Sequence, residues 1–281
     1  MKANILLQGD IGTGKTTALR TLLPEWVDEH GKVHAGAGLT PFVISMEPGI
    51  EAALGPNLCG GDGDTEGLRR LKSSRIHYHY HPPANVDWST MRKWAQVMHI
   101  STIEVAIKTQ DPGRSQYTQF LDLFGICSAF TCDACGEDFG DVGEWGEDRA
   151  ICFDGLTSLT KMAIFSNVGS RFYLSWPEVG GVQGLIEGFM DLVWGGTKCT
   201  AILLAHIERE VSPLTGLSTL ATSTIGNKLA PKLAKKPDEI IVTECVEGKF
   251  VWNTEEAGRG LKRRRLPLST SLAPDFAQLF R

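Results

Sequence analysis

The sequence has no apolar run approaching the roughly 20 residues needed to cross a bilayer. Met1-Lys2 leads straight into the strand-like ANILLQ, so neither a leader peptide nor an anchor is expected, and the expectation is a cytoplasmic protein with no membrane partner. There is little net charge, only −5 over 281 residues, which argues against a molecule coated with phosphate-binding surface. No internal repeat is visible. Cysteine is sparse as well: seven residues point to reduced thiols or a metal site rather than a disulfide framework. With 42% hydrophobic and 22% charged residues, the chain can bury one sizeable core, so a single domain spanning 1–281 with an insertion at 100–148 is expected.

The apolar runs that do occur are short and regularly punctuated. NILLQ (4–8), FVISM (42–46), RIHYHYH (75–81), AICFD (150–154) and KCTAILLAHIERE (198–210) have the length and composition of strands. DEIIVTECV and KFVWNT form a hairpin-like pair around Glu247-Gly248. Helical patterns fall between them, at 15–23, 86–108 and 182–194. That alternation predicts an α/β fold whose mostly parallel sheet is covered by helices on both faces.

Between the first strand and the first helix lies GDIGTGKTT: Gly9, Asp10, Ile11, Gly12, Thr13, Gly14, Lys15, Thr16 and Thr17. This is the phosphate-loop pattern in its required context. Glycines let backbone N–H groups close around phosphates, and the helix N-terminus adds partial positive charge. Lys15 is expected to reach the β- and γ-phosphates and the Thr16 hydroxyl to ligate magnesium. Two later strands end in acids. Asp154 is assigned to the metal and Glu47 to the activation of water, with Glu47 as a cap on the Pro48-Gly49 turn the bland alternative. His206 ends a third strand, either as a donor that senses hydrolysis or as a histidine bonded to backbone.

Charge is uneven. From residue 228 onward there are 11 Lys and Arg against 7 Asp and Glu, while residues 1–227 carry 17 against 26. Lys228, Lys232, Lys235 and Lys236, and the run Lys262, Arg263, Arg264 and Arg265, together with Arg209, are candidates for contact with the phosphates of single-stranded DNA. They are equally candidates for a finger reaching into a neighbouring subunit's site, or for a solvated basic face.

Cys127-x4-Cys132-x2-Cys135-Gly resembles one knuckle of a zinc ribbon, but a second CxxC is missing. Cys59, His99 or another chain would have to complete four ligands, and reduced cysteines in an ordinary loop are the other reading. Residues 132–148, acidic and holding four glycines, are expected to be exposed. Alternate residues His77, His79 and His81 share one face of a strand about 7 Å apart, too far to close on one ion, and are read as structural.

Taken together, GDIGTGKTT, ISMEPGIEAAL, AICFDGLTSLT, TAILLAHIERE and IGNKLAPKLAKKPDEIIV resemble the RecA-type ATPase core, in particular the compact RecA-like ATP-binding proteins of bacteriophages, some of which are single-strand annealing recombination proteins. The resemblance implies ATP and magnesium as ligands, with ATP assumed since no guanine-reading N-K-x-D appears. By position it puts the catalytic glutamate at Glu47 and the Walker-B aspartate at Asp154. It puts His206 where a glutamine is usual, and a DNA-contacting loop at 209–227. That segment holds no aromatic residue and a single basic one, Arg209, so base stacking is unavailable there. A phosphate loop starting at residue 9 leaves no place for the N-terminal module that links recombinase filaments. Self-association as a ring or short oligomer is expected. An ATP-dependent recombination or annealing factor is the leading function, a phage assembly or packaging ATPase with a protein partner the second, and a small-molecule kinase the third.

Overall fold

In chain order, the computed structural model contains β1 (Asn4–Gly9), α1 (Lys15–Ala18, extended by a 3-10 turn Leu19–Leu22), β2 (Glu25–Val27), β3 (Val33–Ala35), β4 (Thr40–Ser45), α2 (Ile50–Leu54), β5 (His77–Tyr80), α3 (Trp88–Ile100) and α4 (Gln119–Ser128). It continues with β6 (Arg149–Asp154), α5 (Leu156–Val168), α6 (Trp176–Asp191), β7 (Thr200–Ala205), β8 (Ile207–Val211), β9 (Ser218–Thr222), α7 (Gly226–Leu233), β10 (Glu239–Val246), β11 (Lys249–Asn253) and α8 (Ala277–Phe280). The residues described are 2–60, 75–85, 88–100, 114–169, 171, 174–211, 218–255 and 265–280.

Seven strands form one sheet in the order β11-β10-β1-β7-β6-β4-β5. Every neighbouring pair is parallel except β10 with β11, the expected C-terminal hairpin. Its turn places Glu247 at φ 50° and Gly248 at φ 77°, the two positive values that a two-residue hairpin turn requires. Because side chains alternate across a strand, each apolar run supplies both faces. Leu6, Phe42, Ile44, Ile151, Phe153 and Leu203 meet α4 to α7. Ile5, Leu7, Val43, Cys152, Ile202 and Leu204 meet α1, α2 and the C-terminal segment around Phe276. This two-faced burial is the physical reason the strands read as continuous apolar runs, and it gives the mostly parallel, helix-covered α/β fold that the RecA-type resemblance implies.

Two expectations are corrected. The fifth strand does not continue through His206: β7 stops at Ala205, and β8 leaves the sheet to pair antiparallel with β9, Ile207 opposite Thr222 and Val211 opposite Ser218. Residues 132–148 are not an exposed loop, since Cys132, Val142 and Trp145 are buried, as is the preceding Phe130. Phe42 of β4 is the anchor, with ring centroids 4.3 Å from Trp145, 4.8 Å from Phe139 and 5.3 Å from Phe130. Acidic residues occupy the outward positions of this segment and aromatic residues the inward ones.

Replacing Trp145 with alanine should therefore lower unfolding stability by about 3–5 kcal/mol, as core aromatics do. The denaturation midpoint measures this. A loss under about 0.5 kcal/mol, normal for a surface position, would return the segment to the solvent.

Candidate nucleotide site

β1 delivers the phosphate loop to the C-terminal edge of the sheet, where ligands of open α/β folds bind. Gly14 takes the left-handed φ of 81° just before α1, and a Cβ there would come within 2.7 Å of the Phe250 ring; only glycine meets both conditions. Ile11 at the crest is 87% exposed, whereas Lys15 is 7% exposed. The Lys15 ammonium donates to the carbonyls of Gly9 at 2.8 Å and Asp10 at 2.7 Å. Burial lowers its pKa, and the carboxylates of Asp154, Glu47 and Asp10 offset part of that.

β6 ends at Asp154, whose carboxylate accepts a 3.0 Å hydrogen bond from the Thr16 hydroxyl. Burial pushes the Asp154 carboxyl up to about 6 and nearby Glu47 adds to the rise, while the Thr16 bond and Lys15 oppose it. A carboxylate removed from water beside a Thr hydroxyl is a donor set that suits magnesium, a hard, oxygen-seeking cation.

The strand order decides what lies between these groups. β7 separates β1 from β6, so β7, not β6, is the direct neighbour of the phosphate-loop strand. His206, the first residue beyond β7, is thereby set between Lys15 and Glu47. Its Nδ1 lies 3.5 Å from the Lys15 ammonium and its Nε2 lies 3.2 Å from the Glu47 carboxylate. The ring thus meets side chains, while its backbone carbonyl accepts from the Ser223 amide at 2.7 Å. The hydrogen bond between the His206 ring and Glu47 lowers the Glu47 pKa more than burial raises it. Gly155, at φ 120°, lets Glu47 in: a Cβ there would sit 2.9 Å from Glu47 Cγ.

Several groups escaped sequence reasoning. A cavity of about 340 Å³ opens beside Gly14 and Thr17, walled by Trp26, His34, Phe250 and Pro274. Trp26 stacks on His34 at 4.5 Å with the Arg20 guanidinium 4.4 Å over its ring. The hairpin β8-β9 is tied to β1 by the Thr222 hydroxyl donating to the Gln8 side chain at 2.7 Å. Nothing in the sequence signalled the cavity or the tie.

The basic candidates divide. Lys232 pairs with Glu187 at 2.7 Å, and Lys236 pairs with Asp191 and Glu187, so two of the four lysines are matched to acids of α6. Arg265 is withdrawn from the basic run, because its guanidinium donates to the carbonyls of Lys2 and Leu279. Lys228 is exposed on α7, with Lys235 exposed just beyond it. Arg209 lies in β8 by its backbone. Lys262, Arg263 and Arg264 fall outside the described residues.

The cysteine expectation changes too. Cys127 does not join Cys132 and Cys135: it packs against the core, and burial pushes its thiol up to about 12. Cys59 and His77 join them instead. The histidine face splits as its spacing requires: His79 pairs with Asp133 at 2.8 Å and His81 Nε2 lies 2.8 Å from the Gln119 carbonyl, so only His77 departs from the structural reading. His99 lies on α3 by its backbone, and its side chain falls outside the described ones.

No family model and no curated protein matches the chain. Among solved structures it is similar to a prototypical ATPase from the type III secretion system of pathogenic bacteria, at 12% identity over 86% of this chain and 51% of that one, TM-score 0.38. It is similar to the assembled ATPase EscN from the type III secretion system of enteropathogenic E. coli at 14% identity over 86% and 43%, TM-score 0.37. The RadB recombinase is similar at 12% identity over 95% and 83%, TM-score 0.36. The chain spans about half the length of the two secretion ATPases.

A raised carboxyl pKa means that the folded state holds its proton more tightly than the unfolded chain. Stability is therefore lost as pH rises from the ordinary aspartate range through about 6. Asp154→Asn should raise the melting temperature by several degrees near pH 8 in metal-free buffer, worth on the order of 2–3 kcal/mol, with no gain near pH 4. Equal shifts at both pH values would refute the buried-charge account.

Proposed function

We propose that the chain is a magnesium-dependent ATPase that works on single-stranded DNA, in recombination or annealing. The observation that carries the reading is the line Lys15, His206, Glu47 at the sheet edge, with the hairpin β8-β9 starting at the residue after His206.

In this reading Lys15 exchanges its two loop carbonyls for oxygens of the β- and γ-phosphates, and the N–H groups of 12–16 close around them. The base and ribose occupy the cavity beside Thr17, against Phe250 and the Trp26-His34 stack. Magnesium, when bound, neutralises phosphate charge, and Thr16 and Asp154 are the residues that fit it. Glu47 takes a proton from the attacking water as the oxygen bonds to the γ-phosphorus and ADP leaves. Hydrogen bonding by His206 keeps Glu47 ionised and therefore able to accept that proton. Loss of the γ-phosphate alters what Lys15 and His206 can bond, and the Thr222-Gln8 tie and the Ser223-His206 bond convey the change to the hairpin. Exposed Lys228 on α7 and Arg209 in β8 are the proposed DNA contacts, made to phosphates rather than bases.

The pairing of Lys232 and Lys236 to α6 favours the second reading, an oligomeric assembly ATPase whose partner is protein. The two separate cleanly. With single-stranded DNA the ATPase rate should rise, and the rise should shrink as salt increases; a rate indifferent to DNA at low and high salt removes the DNA reading and leaves the ATPase.

Glu47→Gln should cut hydrolysis by about 10²–10⁴-fold with nucleotide binding retained, and Lys15→Ala should lose binding as well. Thr222→Val should keep basal hydrolysis and lose most of the stimulation by DNA. Unchanged stimulation would mean that the tie to Gln8 conveys nothing.

A further inference from the structure

The geometry points to a structural zinc site at the outer edge of the sheet, with Cys59, His77, Cys132 and Cys135 as its four ligands. Their ligand atoms all lie within 4.8 Å of one another, and Cys135 Sγ is 3.7 Å from His77 Nδ1. Zinc-sulfur distances near 2.3 Å and zinc-nitrogen distances near 2.0 Å space the donors of a tetrahedral ion about 3.5–3.8 Å apart. Closing on the ion thus asks for movements of an ångström or less. Three thiols and an imidazole are the soft donor set that selects zinc over magnesium or calcium.

Three separate stretches of chain supply the donors, and ordinary backbone hydrogen bonds hold each in place. The Cys59 amide donates to the Ile76 carbonyl at 2.9 Å, which seats it against the start of β5. The Asp133 amide donates to the Tyr78 carbonyl at 2.9 Å, which brings the Cys132-x2-Cys135 turn across the same strand. Within that turn the Gly136 amide donates to the Cys132 carbonyl at 2.8 Å. Backbone N–H groups of Cys135, Tyr78 and Ala134 also reach the Cys132 sulfur. Such bonds offset the net charge of −1 left by three thiolates on a divalent ion, and they orient the ligating sulfur.

Position makes the role structural rather than hydrolytic. All four places of the tetrahedron are filled by protein, so none is open to water or substrate. His77 is in register with Phe42, five residues before Glu47, or roughly 16 Å along the strand from the nucleotide edge at about 3.3 Å per residue. An ion here would staple the edge strand β5 to the turn beyond α2 and to the segment that carries Phe130 and Trp145. β5 is the last strand at its end of the sheet, and an edge strand needs covering. The inference does not depend on the nucleotide reading.

Metal analysis of the untagged full-length chain, purified from zinc-supplemented culture, tests it. One tightly held zinc per chain is expected, retained in Cys127→Ser and lost in His77→Ala and Cys135→Ser; Cys135 is exposed, so its replacement spares the core. Cobalt exchanged into the wild-type protein should show thiolate charge-transfer absorption together with the intense visible bands of a tetrahedral ion, whatever the ATPase rate. Metal-free wild-type protein, full zinc in Cys135→Ser, or an intact mass two hydrogens short with a disulfide mapped among Cys59, Cys132 and Cys135 would each overturn the site.

Discussion

A carboxylate taken out of water at the end of β6 is the constraint around which the rest of the site is arranged. Asp154 is held by Thr16, the residue after the phosphate-loop lysine, so a single hydrogen bond couples the two strand ends that must cooperate. An ionised carboxylate in that position is unfavourable without a cation. The fold therefore carries a cost at Asp154, set by the burial of the end of β6, that a bound cation would relieve. Only a central strand covered on both faces can bury a side chain at its end in this way, which is why the two-faced core and the site belong to one argument.

The interposed strand β7 has a comparable effect on Glu47. With β6 next to β1 there would be no group between lysine and glutamate. With β7 between them, the residue at its end must face both, and His206 has two ring nitrogens to do so. The same residue ends the strand's membership of the sheet, so the chemistry and the departure of the chain toward β8 share one position.

Local patterns in the sequence carried the strands, the phosphate loop and both strand-end acids, because each depends on a short run and its punctuation. What they did not carry depends on register. AILLAHIERE is apolar and then alternating without a break, and nothing within it marks the point where pairing passes from β1 to β9. Two of the four clustered donors are announced by Cys132-x2-Cys135 and Cys59 was a candidate to complete them, but His77, read as structural, is brought to Cys59 by the Leu58-Ile76 bridge at the sheet edge. The acidic surface of 132–148 masked its aromatic interior. The lysines of 232–236 read as a free basic cluster until Glu187 and Asp191, some 45 residues earlier, appeared opposite them.

The antiparallel pair that leaves the sheet after His206 is an arm whose fulcrum is its base, where the Ser223-His206 and Thr222-Gln8 bonds hold it. Each of its strands has five residues, which makes an arm of roughly 16 Å at about 3.3 Å per residue. A tilt of about ten degrees at the fulcrum carries the far end through about 3 Å, close to the spacing of one residue along an extended strand. In the proposed reading, an ångström-scale change at the imidazole would thereby become a displacement on the scale of one residue step at the far end of the arm.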